Sequence, residues 1–154
     1  IPAVFLCYLR LWWNMLDGMV ALASGKASKR GEVLNELSDR VSDVLIFVGV
    51  AHSGLAQPLL VYWGLILALA TAYVGVLGQA IGAGRQFAGI MAKPWRIVVL
   101  HVGAWVALGL IWIGVPIMYG GLTVLDYTML IILLGCVQTI AVRLNRMLTS
   151  LERG

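Results

Sequence analysis

Five side chains early in the sequence have the types and spacing to do chemistry together: Asn14, Asp17, Asn35, Asp39 and Asp43. Each offers hard oxygen. On a helix Asn14 and Asp17 are i, i+3 neighbours, and Asn14 also lies i+4 from Arg10. Asn35, Asp39 and Asp43 follow at i, i+4, i+8 and make one stripe. A short turn carrying Lys26, Lys29 and Arg30 joins the two segments, so the stripes can be aimed at each other across one wet pocket. Carboxylates and carboxamides beside flanking Lys and Arg suit a divalent cation and a phosphate-bearing substrate. Mg²⁺ takes one or two carboxylates and completes its shell with water and phosphate oxygens. Acids near a helix start can also serve the helix dipole alone. That accounts for Glu32 and Glu36. It accounts poorly for Asp39 and Asp43, which approach an apolar run, where ionisable groups are costly and face a bundle interior or a cavity.

The elements that must position these groups are membrane helices. Hydrophobic residues make up 61% of the chain and only 12% are charged, about half the charged share of a soluble domain; mean hydropathy is +0.94. At ~20 apolar residues per span, the 154 residues hold five helical segments and no second domain. The periodicity predicts them over residues 2–22, 31–51, 58–82, 94–116 and 125–148, the second being polar at first and apolar from Val44 to Ala51. The expected fold class is all-α, a polytopic membrane helix bundle forming a single domain over 1–154. The opening Ile1-Pro2 reads as the second half of a span, so five of six spans are expected, with the first span lacking. Cys7 and Cys136 lie in apolar runs and read as small buried hydrophobes. Gly75, Gly78 and Gly82 sit on or near one face of the third segment and read as a close-packing face. His52 and His101 read as interface or packing residues, and Asp126 as a cap on the last helix.

Loop charge alternates. Residues 24–30 hold Lys26, Lys29 and Arg30; residues 82–96 hold Arg85, Lys93 and Arg96; the C-terminal end holds Arg143, Arg146 and Arg153. Residues 52–57 and 119–123 contain no Lys or Arg. The basic loops are therefore expected on the cytoplasmic side, and with them the polar cluster. The net charge of +4 is mostly topology and calls for no nucleic acid.

In this register the stretch from Asn14 to Asp43 resembles the motif of the CDP-alcohol phosphatidyltransferase family, D-x2-D-G-x2-A-R-x8-G-x3-D-x3-D. Here it reads Asn14-x2-Asp17-Gly18-x2-Ala21-Leu22-x8-Gly31-x3-Asn35-x3-Asp39. The spacing agrees throughout, two acids are replaced by their amides, and Leu22 stands in place of Arg. The later stretch GQAIGAGRQFAGIMAKPWR resembles a basic loop that some bacterial members carry.

The resemblance implies six spans in a bacterial inner membrane, with the active site facing the cytoplasm. It also implies transfer of a phosphatidyl or related phospho-alcohol group from a CDP-alcohol, usually CDP-diacylglycerol, to an acceptor alcohol with release of CMP. By the same resemblance Asp39 is the general base. Asp17, Asn14 and Asn35 occupy metal positions for Mg²⁺ (or Mn²⁺), with Asp43 adding charge nearby. Gly18, Ala21 and Gly31 line the nucleotide. Arg85, Lys93 and Arg96 on the basic loop are candidates to hold an acidic headgroup or phosphate. The implied partners are the CDP-alcohol, the acceptor alcohol, the bilayer and a second copy of the chain. Two other readings stay open: a family member that binds CDP-lipid without turnover, and a small transporter with an acid-lined site. A shifted register, with Asp39 and Asp43 as the last two acids, displaces Gly31.

Overall fold

The structure, a computed structural model, describes residues 29–84 and 86–152. The chain divides into two compact units, Ile1–Ile46 and Phe47–Gly154. The helix expected over residues 2–22 lies outside the described residues. The boundary between the units falls within helix α1, Lys29–Ala51, which starts two residues before the expected Gly31. Glu32 lies in its first turn, where a negative charge complements the helix dipole.

The second unit is built on three helices: α2, Pro58–Ala80; α3, Lys93–Trp112; and α4, Val124–Glu152. All three are long and apolar enough to cross a membrane, and the protein is an integral membrane protein. Among the described residues only these three qualify; the polar first half of α1 keeps it out of the group. Proline opens α2 and α3, where its missing N–H is not needed. Helix α4 is central and packs along both α2 and α3. Val61 and Ala68, seven apart on α2, and Met129, Ile132 and Cys136 on α4 are fully buried, the helical spacing of two apolar stripes meeting. Cys136 is thus the buried small side chain that its apolar run suggests. At Gly103 of α3 an added Cβ would run into Thr128 of α4, so glycine lets these two helices cross closely.

Three expectations need correction. Helix α3 stops at Trp112 and does not reach Pro116. Gly114 takes φ +71°, its N–H donates to Ile111 O at 3.2 Å, and the Val115 N–H donates to Leu110 O at 2.9 Å. That is a Schellman ending, which satisfies carbonyls the helix would leave open. The loop expected over residues 119–123 is part of a small antiparallel hairpin, β1 Met118–Tyr119 and β2 Leu122–Thr123. Gly120 and Gly121, both at positive φ, supply the tight two-residue turn that such hairpins require. Gly82 is not on a packing face. It has φ +82° and open space where a Cβ would be, and it ends α2.

At the end of the second unit that carries this hairpin, Thr123 and Asp126 share the start of α4. The Asp126 N–H donates to Thr123 Oγ1 at 3.1 Å and the Thr123 N–H donates to Asp126 Oδ2 at 2.8 Å, the reciprocal pattern of a capping box. Thr123 is therefore the cap, and Asp126 its partner three residues on. The other carboxylate oxygen, Oδ1, accepts from the Gln57 N–H at 2.6 Å, at the start of α2. The Thr123 hydroxyl donates to Leu55 O at 2.8 Å. One buried carboxylate thus ties two helix starts together.

Candidate functional site

The described half of the acidic stripe is on α1, in the first unit. Asp39 and Asp43 are 4% and 3% exposed, whereas Gly31 and Asn35 are exposed. Asp43 comes four positions after Asp39, so both lie on one buried face. Asn14, Asp17, Gly18 and Ala21 lie outside the described residues, and so does the expected meeting of the two stripes. Among the described residues no group of three His, Cys, Asp or Glu gathers to hold a metal ion. The donor chemistry nevertheless fits a hard cation. Two buried carboxylates on one stripe are the kind of oxygen ligands that Mg²⁺ or Mn²⁺ takes.

A residue that the motif does not contain sits between these acids. Arg40 Nη2 lies 3.2 Å from Glu36 Oε1, and Arg40 Nη1 lies 3.5 Å from Asp43 Oδ2. The signal was in the sequence: Arg40 is i+4 from Glu36 and i−3 from Asp43, the spacings at which helical side chains meet. Part of the charge that Glu36 and Asp43 bring is therefore balanced inside α1. Asp39 keeps the register position of the motif's last acid.

The second unit carries a buried basic site. Arg96, in the first turn of α3, is 3% exposed, and Arg143 of α4 is 7% exposed. Lys93 is half-buried, and Arg85 lies outside the described residues. The Cys136 thiol lies near Thr71 and Arg96. A guanidinium buried in the first turn of a spanning helix is costly and marks a polar interior or a cavity. Arg143 donates from Nε to Ala88 O at 2.8 Å and from Nη1 to Thr71 O at 2.6 Å. The sequence reading gave Arg143 only to loop charge; its contacts join residues far apart in sequence, and no local pattern announces them. His101 is part-buried, and its Nδ1 lies 2.8 Å from Ile97 O, which accepts from an Nδ1–H there. His52 is exposed and stands edge-on to Tyr62. Neither belongs to the acidic stripe.

No family model matches the chain. Curated relatives do. The chain is 30% identical over 98 residues to inner membrane protein YnbA of Escherichia coli, covering 64% of this chain and 48% of that one. It is 33% identical over 91 residues to archaetidylinositol phosphate synthase of Pyrococcus horikoshii, 59% of this chain and 48% of the relative. It is 32% identical over 112 residues to phosphatidylinositol phosphate synthase of Mycolicibacterium smegmatis, 62% and 50%. The chain thus spans about half the length of the curated relatives it matches. The fold matches two crystal structures of Mycobacterium tuberculosis phosphatidylinositol phosphate synthase. With CDP-DAG bound, that protein aligns at TM-score 0.71 and 21% identity over 91% of this chain and 69% of its own. In complex with manganese and citrate, it aligns at TM-score 0.72 and 23% identity over 92% and 67%.

Proposed function

The chain is a relative of the CDP-alcohol phosphatidyltransferases, and we propose that it carries out their kind of reaction. It moves a phosphatidyl or related phospho-alcohol group from a CDP-alcohol, such as CDP-diacylglycerol, to an acceptor alcohol in phospholipid synthesis. The observation that carries the reading is the pair Asp39 and Asp43. Both are buried on one stripe of α1, and Asp39 stands at the register position of the motif's last acid. The crystal structure with CDP-DAG is the matching precedent for the donor.

In this reading the acceptor hydroxyl attacks the phosphorus nearer the lipid. A new P–O bond forms there, the P–O bond to CMP breaks, and CMP leaves with the bonding pair. Asp39 takes the proton from the hydroxyl, a role typically worth ~10²–10⁴-fold in rate. Phosphoryl transfer asks a protein mainly to position groups and stabilise charge. Gly18, Ala21 and Gly31 leave room for the nucleotide. Arg96, with Lys93 and Arg85, holds an acidic headgroup or acceptor phosphate; a fork of guanidinium donors matches phosphate oxygens. Asp17, Asn14, Asn35 and Asp43 are the residues to hold a divalent ion, Mg²⁺ or the manganese seen in the structural neighbour. When bound, the ion neutralises charge on the pyrophosphate. The reading further places the site on the cytoplasmic side of a six-span protein acting as a dimer.

Asparagine at positions 14 and 35, and leucine at 22, favour a second reading in which the chain binds CDP-lipid without turnover. Incubating the protein in lipid with CDP-diacylglycerol, Mg²⁺ and a panel of alcohols (glycerol phosphate, inositol phosphate, serine), and following CMP, separates the two. Transfer predicts CMP release that depends on one acceptor. Binding of CDP-diacylglycerol without any CMP would select the second reading.

A further inference from the structure

Residues 86–92 are irregular backbone folded in between α2 and α4. In a membrane such backbone is tolerated only where protein satisfies its polar groups, and here four side-chain or helix groups do so. The Gln86 N–H donates to Gly75 O at 3.2 Å, and Ala88 O accepts from Arg143 Nε at 2.8 Å. The Ile90 N–H donates to Gln138 Oε1 at 3.3 Å, and the Met91 N–H donates to Thr139 Oγ1 at 2.9 Å. Thr139 in turn donates to Gly135 O at 2.7 Å, which fixes its hydroxyl as the acceptor for Met91.

The approach is close enough to need glycine. A Cβ at Gly89, where φ is +111°, would run into Thr139, and one at Gly135 would run into Met91. At Gly75 the reason is more specific. On a helix the side chain four residues on covers a carbonyl, and Gly75 stands four after Thr71. Without a Cβ there, Arg143 Nη1 reaches Thr71 O at 2.6 Å; an added Cβ would lie 2.8 Å from that nitrogen. The segment runs into Ala92, the N-cap of α3, whose carbonyl accepts from the Arg96 N–H at 3.2 Å. The seat of residues 86–92 thus sets where α3 begins and where Arg96 stands.

We propose that Arg143 is a positioning residue: by clamping residues 86–92 into this glycine-lined groove it holds Arg96 in place for a phosphate. The proposal rests on the reading of Arg96 as a phosphate-holding group. The test uses the full chain in lipid nanodiscs, with hydrogen exchange over residues 86–92 and titration with inorganic phosphate as separate measurements. Arg143→Gln and Gly89→Ala should each speed exchange across the segment and weaken phosphate binding by about tenfold or more, the loss expected for charge-assisted hydrogen bonds. The double variant should be no weaker than the weaker single one. Thr139→Val, which keeps the size and removes the hydroxyl, should act in the same direction if Gly89→Ala does not fold. Arg96→Gln should lose phosphate while exchange stays as in the wild type. Unchanged exchange in Arg143→Gln overturns the clamp. Faster exchange in Gly89→Ala with full phosphate affinity overturns the link from segment to Arg96. A wild-type chain that binds no phosphate overturns the role of Arg96 and the proposal with it, whatever the CMP assay gives.

Discussion

Arg40 sits among the acids of α1. Its guanidinium lies 3.5 Å from Asp43 and 3.2 Å from Glu36. In the proposed reaction Asp39, at the register position of the motif's last acid, takes the proton, and Asp43 is accessory. Asp43→Asn is expected to keep turnover within about tenfold of the wild type, whereas loss of a general base removes ~10²–10⁴-fold. Initial rates of CMP release from the two single variants measure this, and an Asp43→Asn rate as low as that of Asp39→Asn would select the shifted register. The stripe itself was legible from spacing alone, because i, i+4 fixes a helical face. Burial was legible only for the acids nearest the apolar run: Asn35, a turn earlier than Asp39, is exposed.

At the scale of elements, the helices of the second unit were readable to within a few residues because their apolar runs and opening prolines are local signals. What escaped the sequence reading depends on long-range partners or on a single dihedral. Helix α3 ends where Gly114 turns to positive φ; the hairpin needs both Gly120 and Gly121 in that region. The inward fold of residues 86–92 depends on Gln138, Thr139 and Arg143, roughly fifty positions away. Asp126 shows the same limit. Its place at the start of α4 was readable, but its bond to the Gln57 N–H was not. Asp126→Ala strands two backbone donors and should destabilise the second unit by about 2–4 kcal/mol. A lower midpoint of thermal unfolding in detergent measures it. An unchanged midpoint would mean that water or another group replaces the carboxylate.

For the molecule as a whole, loop charge and chemistry must agree on a side. The loops at residues 52–57 and 119–123, joined through Thr123 and Leu55, carry no Lys or Arg and are expected outside by the positive-inside rule. A membrane-impermeant maleimide applied to intact cells should label Ser53→Cys above the level of the parent chain. Labelling only after the membrane is opened would put the acidic stripe on the other face. The central claim is the transfer itself, and an acceptor alcohol carrying ¹⁸O in its attacking hydroxyl tests it most directly. With CDP-diacylglycerol and Mg²⁺, the account predicts that the wild-type protein forms a phosphodiester that retains the ¹⁸O, with one unlabelled CMP released for each product. It predicts that Asp39→Asn still binds CDP-diacylglycerol and forms no product. Label appearing in the nucleotide, or equal product from the wild type and Asp39→Asn, would contradict it.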